Sequence, residues 1–132
     1  LILGGPNKYY DYNEKNLIKI FDKIKSILES NNLQAIIIPS MRTPKKIIDL
    51  AKNYFDKNQI IITEVDKKAY LSSLKLSHYI VVTCDSTSMI SEAAVTGKPV
   101  YMAMMKPNKS IRRFKSFYSQ FKDRLTAFCH LV

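Results

Sequence analysis

Residues 79–105 read "YIVVTCDSTSMISEAAVTGKPVYMAMM", and the way this stretch changes character decides the fold. An apolar, strand-like run over 79–83 ends in Thr83, Cys84 and Asp85 and turns straight into a helix. Gly97 stops that helix, and "PVYMAMM" over 99–105 resumes as a strand. Strand, helix and strand in direct succession call for a parallel pair joined by a crossover. The junction between them leaves backbone N–H groups pointing outward with no partner, so the turn either caps itself or holds an anion.

The same alternation extends toward the amino terminus. Leu1 to Leu3 is a short strand, followed by Gly4, Gly5 and Pro6. A helix comes next, in which Leu17, Ile20, Phe21, Ile24, Ile27 and Leu28 recur at three- and four-residue steps and which Asn31 and Asn32 end. Ala35 to Ile38 is a buried-type strand broken by Pro39, and a helix restarts with Thr43 as N-cap and Pro44 at its first position. Ile60 to Thr63 is the third strand, and a short helix over 67–76 leads back to the run at 79. Toward the other end, residues 106–125 read as an amphipathic helix with Ile111, Phe114, Phe117, Tyr118, Phe121 and Leu125 on one side. The fold class is therefore α/β, a Rossmann-like parallel sheet with helices on both faces.

Bulk properties narrow the function. A chain of 132 residues is one domain, 1–132, by the usual prior and can bury its own core. Its 46% hydrophobic and 24% charged residues belong to a globular protein, and no run approaches the ~20 apolar residues of a membrane span. Cys84 and Cys129 are too few for a disulfide framework and, with His78 and His130, make no zinc spacing, so no metal is expected and the thiols read as reduced. The chain opens on leucine directly in an apolar run, which raises the expectation of a fragment of a longer, cytoplasmic protein. Its formal charge of +10 favours polyphosphates, nucleic acid or anionic lipid as partners.

Parallel sheets bind ligands beyond the carboxyl ends of their strands, so the loops after each strand carry the information. After the first strand, "GGPNKYY" (4–10) offers paired glycines that let the backbone approach a phosphate or a base, or form an ordinary tight turn. After the second, Ser40 and Arg42 precede a helix N-terminus, and Arg42 supplies a planar fork for a phosphate or a solvated charge. After the fourth, Ser86, Thr87 and Ser88 occupy the first turn of a helix whose dipole is positive there. Glu92 lies one turn beyond Ser88 on the same face, placed to accept the hydroxyls of a ribose. The alternative is that Asp85, Ser86 or Ser88 is simply the N-cap and Glu92 a surface charge.

"VVTCDSTSMISEAAVTGKPVYM" (81–102) resembles the nucleotide-sugar signature in the C-terminal domain of GT-B glycosyltransferases. Taken with "GGPN" (4–7) and "PSMRTP" (39–44), it is more closely similar to the mitochondrial-fission family founded on a plant elongated-mitochondria protein. The resemblance implies the C-terminal half of a GT-B-like protein, with a nucleoside diphosphate sugar as ligand and no separate cofactor. Its chief partner would be the absent N-terminal domain, which in such enzymes brings the acceptor and usually the catalytic base, so no catalytic residue is assigned. Gly4, Gly5 and Asn7 match the glycine loop facing the donor, and Arg42 a basic residue near the diphosphate. Ser86, Ser88 and Met89 match the phosphate-facing turn and Glu92 the acidic residue on the ribose. Thr87 and Ser88 stand where the bacterial glycosyltransferase signature usually has glycine.

A rival reading starts from residues 106–124, which carry seven Lys or Arg against one acid, Asp123, with aromatics interleaved. Such a helix either packs on its own sheet or on the missing domain, or rests on an anionic membrane and makes the protein peripheral to it. Nucleic acid is disfavoured, because charge alone suggests it and no recognised motif accompanies it.

Overall fold

The structure, a computed structural model, describes residues 1–105, 107, 108, 119 and 128–131. Its elements in chain order are α1 (Glu14–Asn31), β1 (Ile36–Ile37), α2 (Lys45–Tyr54), β2 (Ile60–Ile61), α3 (Lys67–Leu76), β3 (Ile80–Thr83), α4 (Thr87–Val95), β4 (Val100–Ala103) and β5 (Phe128–Leu131). All described strand pairs are parallel. The first strand expected from the sequence contracts to a single bridging residue. Ile2 pairs with Ile38 on one side and Val82 on the other, and so joins the β1–β2 pair to the β3–β4–β5 sheet. Its N–H donates to Val81 O at 2.8 Å, and Leu3 N–H donates to Ile38 O at 2.8 Å.

Counting the Leu1–Leu3 segment as the first strand, the spatial order becomes third, second, first, fourth, fifth, sixth. This is the doubly wound Rossmann order, in which the winding direction reverses beside the first strand. Right-handed crossovers then put α1 and α2 on one face and α3 and α4 on the other. Side chains agree with that assignment. Phe21 of α1 meets Tyr54 and Phe55 at the end of α2, with ring centroids 5.7 Å and 5.1 Å apart. Tyr70 of α3 bonds Glu92 of α4.

The core follows from the apolar spacing. Leu17, Ile20, Phe21 and Ile24 bury one stripe of α1, Ile47 and Ala51 do so for α2, and Ile90 and Ala93 for α4. They pack on Leu3, Ile37, Val82, Val100 and Met102 of the sheet. Asn13 caps α1 through its side chain, and Asn32 ends it in the left-handed region at φ 50°. Gly97 follows α4 with φ 73°, as expected of a helix stop.

Three expectations change. Pro44, not Thr43, occupies the N-cap of α2, because the Thr43 hydroxyl is drawn away to the carbonyls of Leu3 and Gly4. The run at 99–105 is a strand only over Val100–Ala103. A sixth strand, β5, pairs with β4 from Val100↔Phe128 to Ala103↔Leu131, where the sequence reading expected none. The amphipathic helix expected over 106–125 lies outside the described residues. No helix among the described residues is long and apolar enough to cross a membrane.

Candidate functional site

The reversal of strand order separates the loop after the Leu1–Leu3 segment from the loop after β3. A crevice at that switch point is where doubly wound sheets take their ligands. Here the loop at Gly4 and Gly5 is tied down by its neighbours at every polar group. Gly4 N–H donates to the Thr83 hydroxyl at 2.8 Å, and Gly5 N–H donates to Asp85 Oδ2 at 2.9 Å. The Thr43 hydroxyl donates back to Gly4 O at 2.6 Å. Asn7 completes the loop: its Oδ1 accepts from the N–H groups of Tyr9 and Tyr10, and its Nδ2 donates to Asp85 O at 3.3 Å.

Arg42 reaches across from the loop after β1. Its Nη1 donates to Gly5 O at 3.0 Å, and its Nη2 contacts Asp85 Oδ2 at 3.1 Å. The guanidinium is thus a clasp on the glycine loop that remains 43% exposed, while the Asp85 side chain is 0% exposed. The two glycines are required by this packing. A Cβ at Gly4 would collide with the Asp85 carboxylate, and one at Gly5 with the backbone carbonyl of Arg42. The sequence left the paired glycines as either a close approach for a ligand or an ordinary tight turn; in the structure Asp85 and Arg42 pack directly against them.

Asp85 is an unusual organiser. Burial pushes its carboxyl above the ordinary aspartate value, opposed by the neighbouring Thr83 hydroxyl, the Gly5 N–H and the Arg42 charge. Its Oδ1 is buried with no hydrogen-bond partner among the described residues. Tyr12 donates to the Thr83 hydroxyl at 3.3 Å, and burial raises its own phenol well above the ordinary tyrosine value. Cys84, fully buried, accepts from Met105 N–H, and burial pushes its thiol up to about 11. A thiol held that high is a packing group, not a nucleophile.

Immediately after Asp85, α4 begins without a side-chain cap. Ser86 is the N-cap residue, but its hydroxyl makes no capping bond. The N–H groups of Thr87, Ser88 and Met89 have no hydrogen-bond partner among the described residues. By contrast, Asn13 and Asp66 cap α1 and α3 with their side chains. Ser88 is exposed, and Glu92 is exposed one turn further along. One Glu92 oxygen is engaged by the Tyr70 hydroxyl at 2.6 Å. Ser40 faces Thr43, with its N–H donating to the Thr43 hydroxyl at 2.8 Å.

The structure thus brings Gly4, Gly5, Asn7, Arg42 and Asp85 into one bonded cluster, and chain continuity puts Ser86 to Met89 directly beyond it. Ser40 is tied in through Thr43. Thr43, Thr83 and Tyr12 belong to the same network, whereas Tyr70 bonds only Glu92 on α4; none of the four was singled out as a site residue from sequence. Thr83, a hydroxyl closing an apolar strand, carried a signal; Tyr70, one aromatic on a short helix, carried none. His78 is exposed ahead of β3, at the far end of that strand from the cluster. Among the described residues no group of three His, Cys, Asp or Glu side chains is arranged to hold a metal.

A groove of about 530 Å³ lies elsewhere, lined by residues such as Leu28, Asn32, Phe55 and Asn58. These residues precede β1 and β2, so the groove sits at the amino-terminal edge of the sheet. There, helices present carbonyls and a negative dipole end. Size alone favours that groove, whereas electrostatics favours the carboxyl-terminal edge for any anionic ligand. The free N–H groups of α4 lie at that carboxyl-terminal edge.

Comparison with known proteins bears on this cluster as a whole. An uncharacterized protein of Rickettsia prowazekii (strain Madrid E) is 31% identical over 131 residues, which cover 96% of this chain. The chain spans 37% of that relative's length. No solved structure matches significantly. The family model described as mitochondrial fission ELM1 matches residues 1–129, nearly the whole chain and every residue of the cluster. The protein belongs to the mitochondrial fission ELM1 family.

Proposed function

We propose that this chain is the nucleotide-holding half of a GT-B-like protein, with a nucleoside diphosphate sugar as its ligand. The observation that carries the reading is the uncapped N-terminus of α4 at the point where the strand order reverses. The diphosphate accepts hydrogen bonds from the N–H groups of Thr87, Ser88 and Met89 and from the hydroxyls of Ser86 and Ser88, where the helix dipole favours negative charge. Glu92 accepts the ribose hydroxyls. Arg42 keeps part of its guanidinium exposed beside the turn and screens the buried Asp85 charge from the incoming phosphates. Gly4, Gly5, Asn7 and Asp85 act on the ligand through the loop they shape.

Chemistry needs more than these residues. No group in the cluster is a candidate base for activating an acceptor, so transfer of a sugar depends on parts of the protein beyond this chain. The chain's own contribution is binding and orientation.

Melting curves with and without a panel of nucleoside diphosphates and their sugar conjugates test the reading. A ligand at a hundredfold excess over its Kd adds about 2.7 kcal/mol of stability, which is readily seen as a raised Tm. Glu92→Ala is expected to reduce the shift produced by the best ligand. A Tm that moves with no member of the panel would sink the proposal.

A further inference from the structure

Glu92 does not stand alone on α4. The Tyr70 hydroxyl lies 2.6 Å from its Oε2, while Oε1 has no partner among the described residues. We propose that Tyr70 is a positioning and specificity residue, which holds the Glu92 carboxylate in the one orientation that reads the 2′- and 3′-hydroxyls of a ribose. This rests on the nucleotide reading above and adds to it the element that selects ribose over deoxyribose.

Glutamate on an exposed helix flank turns about three bonds, and a ligand that needs it must first stop that motion. Tyrosine turns about only two, and the Tyr70 ring packs against the core between α3 and the sheet. The rigid ring therefore carries a hydroxyl to a fixed place at the rim, and the carboxylate is ordered against it before a ligand arrives. Each carboxylate oxygen has two acceptor sites, so the bond to Tyr70 leaves Oε1 and one lone pair of Oε2 for sugar hydroxyls. Burial and the Glu92 charge both raise the Tyr70 phenol, which keeps it a proton donor throughout the neutral range.

The competing role is a plain brace between α3 and α4. A brace changes stability; a positioning residue changes which sugar is bound. Equilibrium binding on the full-length protein separates them, using UDP, GDP, CDP and ADP beside their 2′-deoxy counterparts. The set comprises wild type, Tyr70→Phe, Glu92→Gln and the double variant, each with its melting curve recorded without nucleotide as a check of fold. Immobilising one flexible side chain is worth about 3- to 10-fold in affinity. Tyr70→Phe is accordingly expected to weaken the ribonucleotide by about that factor, weaken the 2′-deoxy form, which keeps only the 3′-hydroxyl, by less, and so bring their ratio toward one. The double variant should bind no more weakly than Glu92→Gln alone, because Tyr70 acts through Glu92.

Three results overturn the inference and point to different faults. If Glu92→Gln lowers the ribose preference and Tyr70→Phe leaves it at the wild-type value, Tyr70 is only a brace and the nucleotide reading stands. If neither substitution moves the preference of a protein that binds nucleotide, Glu92 is not the ribose acceptor. If wild type binds no nucleoside diphosphate at all, the nucleotide reading falls and takes the role of Tyr70 with it.

Discussion

Replacing Gly5 by alanine is expected to destabilise the protein by about 3 kcal/mol or more, the upper end of the range for overpacking a filled interior. The cause is space and not backbone conformation, since Gly5 does not sit at positive φ. A methyl group there meets the carbonyl of Arg42 and its Cβ at 2.6 Å. A flexible side-chain tip would swing aside, but a carbonyl moves only with its chain. The displaced loop would also lose the bond from Gly5 N–H to Asp85 and the bond from Arg42 to Gly5 O. Gly97 is the control. It has φ 73° and nothing within 4 Å of an added Cβ, so Gly97→Ala pays only for its conformation, about 1 kcal/mol. Urea midpoints for the two variants check the contrast. A Gly5→Ala midpoint close to wild type would show that the loop has slack and that the Arg42 clasp is not a fixed feature.

How far the sequence discloses this arrangement depends on whether an interaction is local. Ile80 to Thr83, the turn after it and Gly97 form a contiguous pattern, and β3, α4 and β4 appear where that pattern puts them. The helices over 14–31 and 67–76 are equally legible, one from its apolar stripe and the other from the polar break on each side. The four residues Phe128–Leu131 have neither period nor turn signals, and only their parallel pairing with β4 makes them a strand. The site divides in the same way. The candidate residues around 83–92 are adjacent in sequence, so their proximity is trivial. That Arg42 spends two of its nitrogens on Gly5, Pro6 and Asp85 depends on contacts across 36 to 43 positions, which no local pattern encodes. Thr43 illustrates the competition well: by type it is a helix cap, and the carbonyl of Gly4 outbids that role.

Removing the Asp85 carboxylate is expected to have the second large effect, and its pH dependence identifies the cause. Asp85→Ala deprives the buried Gly5 N–H of its acceptor and Arg42 of its partner. An orphaned buried donor costs about 1–3 kcal/mol. Loss of the ion pair adds less than for a fully buried one, because Arg42 at 43% exposure can turn to water. A total of about 2–4 kcal/mol follows. Asp85→Asn is the gentler variant, because its amide oxygen can replace Oδ2 as acceptor while its NH2 takes the place of the unpartnered Oδ1; at the acid end, where Asp85 is itself neutral, the two proteins are expected to lie within about 1 kcal/mol of each other. The sign of the pH effect follows from burial, which raises the folded carboxyl above its unfolded value of 3.8. A raised acid contributes stability that is fully present below the unfolded pKa and is lost as pH climbs through the folded one. Wild type should therefore lose stability relative to Asp85→Asn as pH rises above about 4, and the gap should stop changing once Asp85 is ionised in both states. Denaturation midpoints of the two proteins between pH 3.5 and pH 8, without nucleotide, provide the measurement. A difference that instead grows in favour of wild type over that range would mean that Arg42 and the Gly5 N–H outweigh burial, and that Asp85 holds the loop as a net stabilising charge.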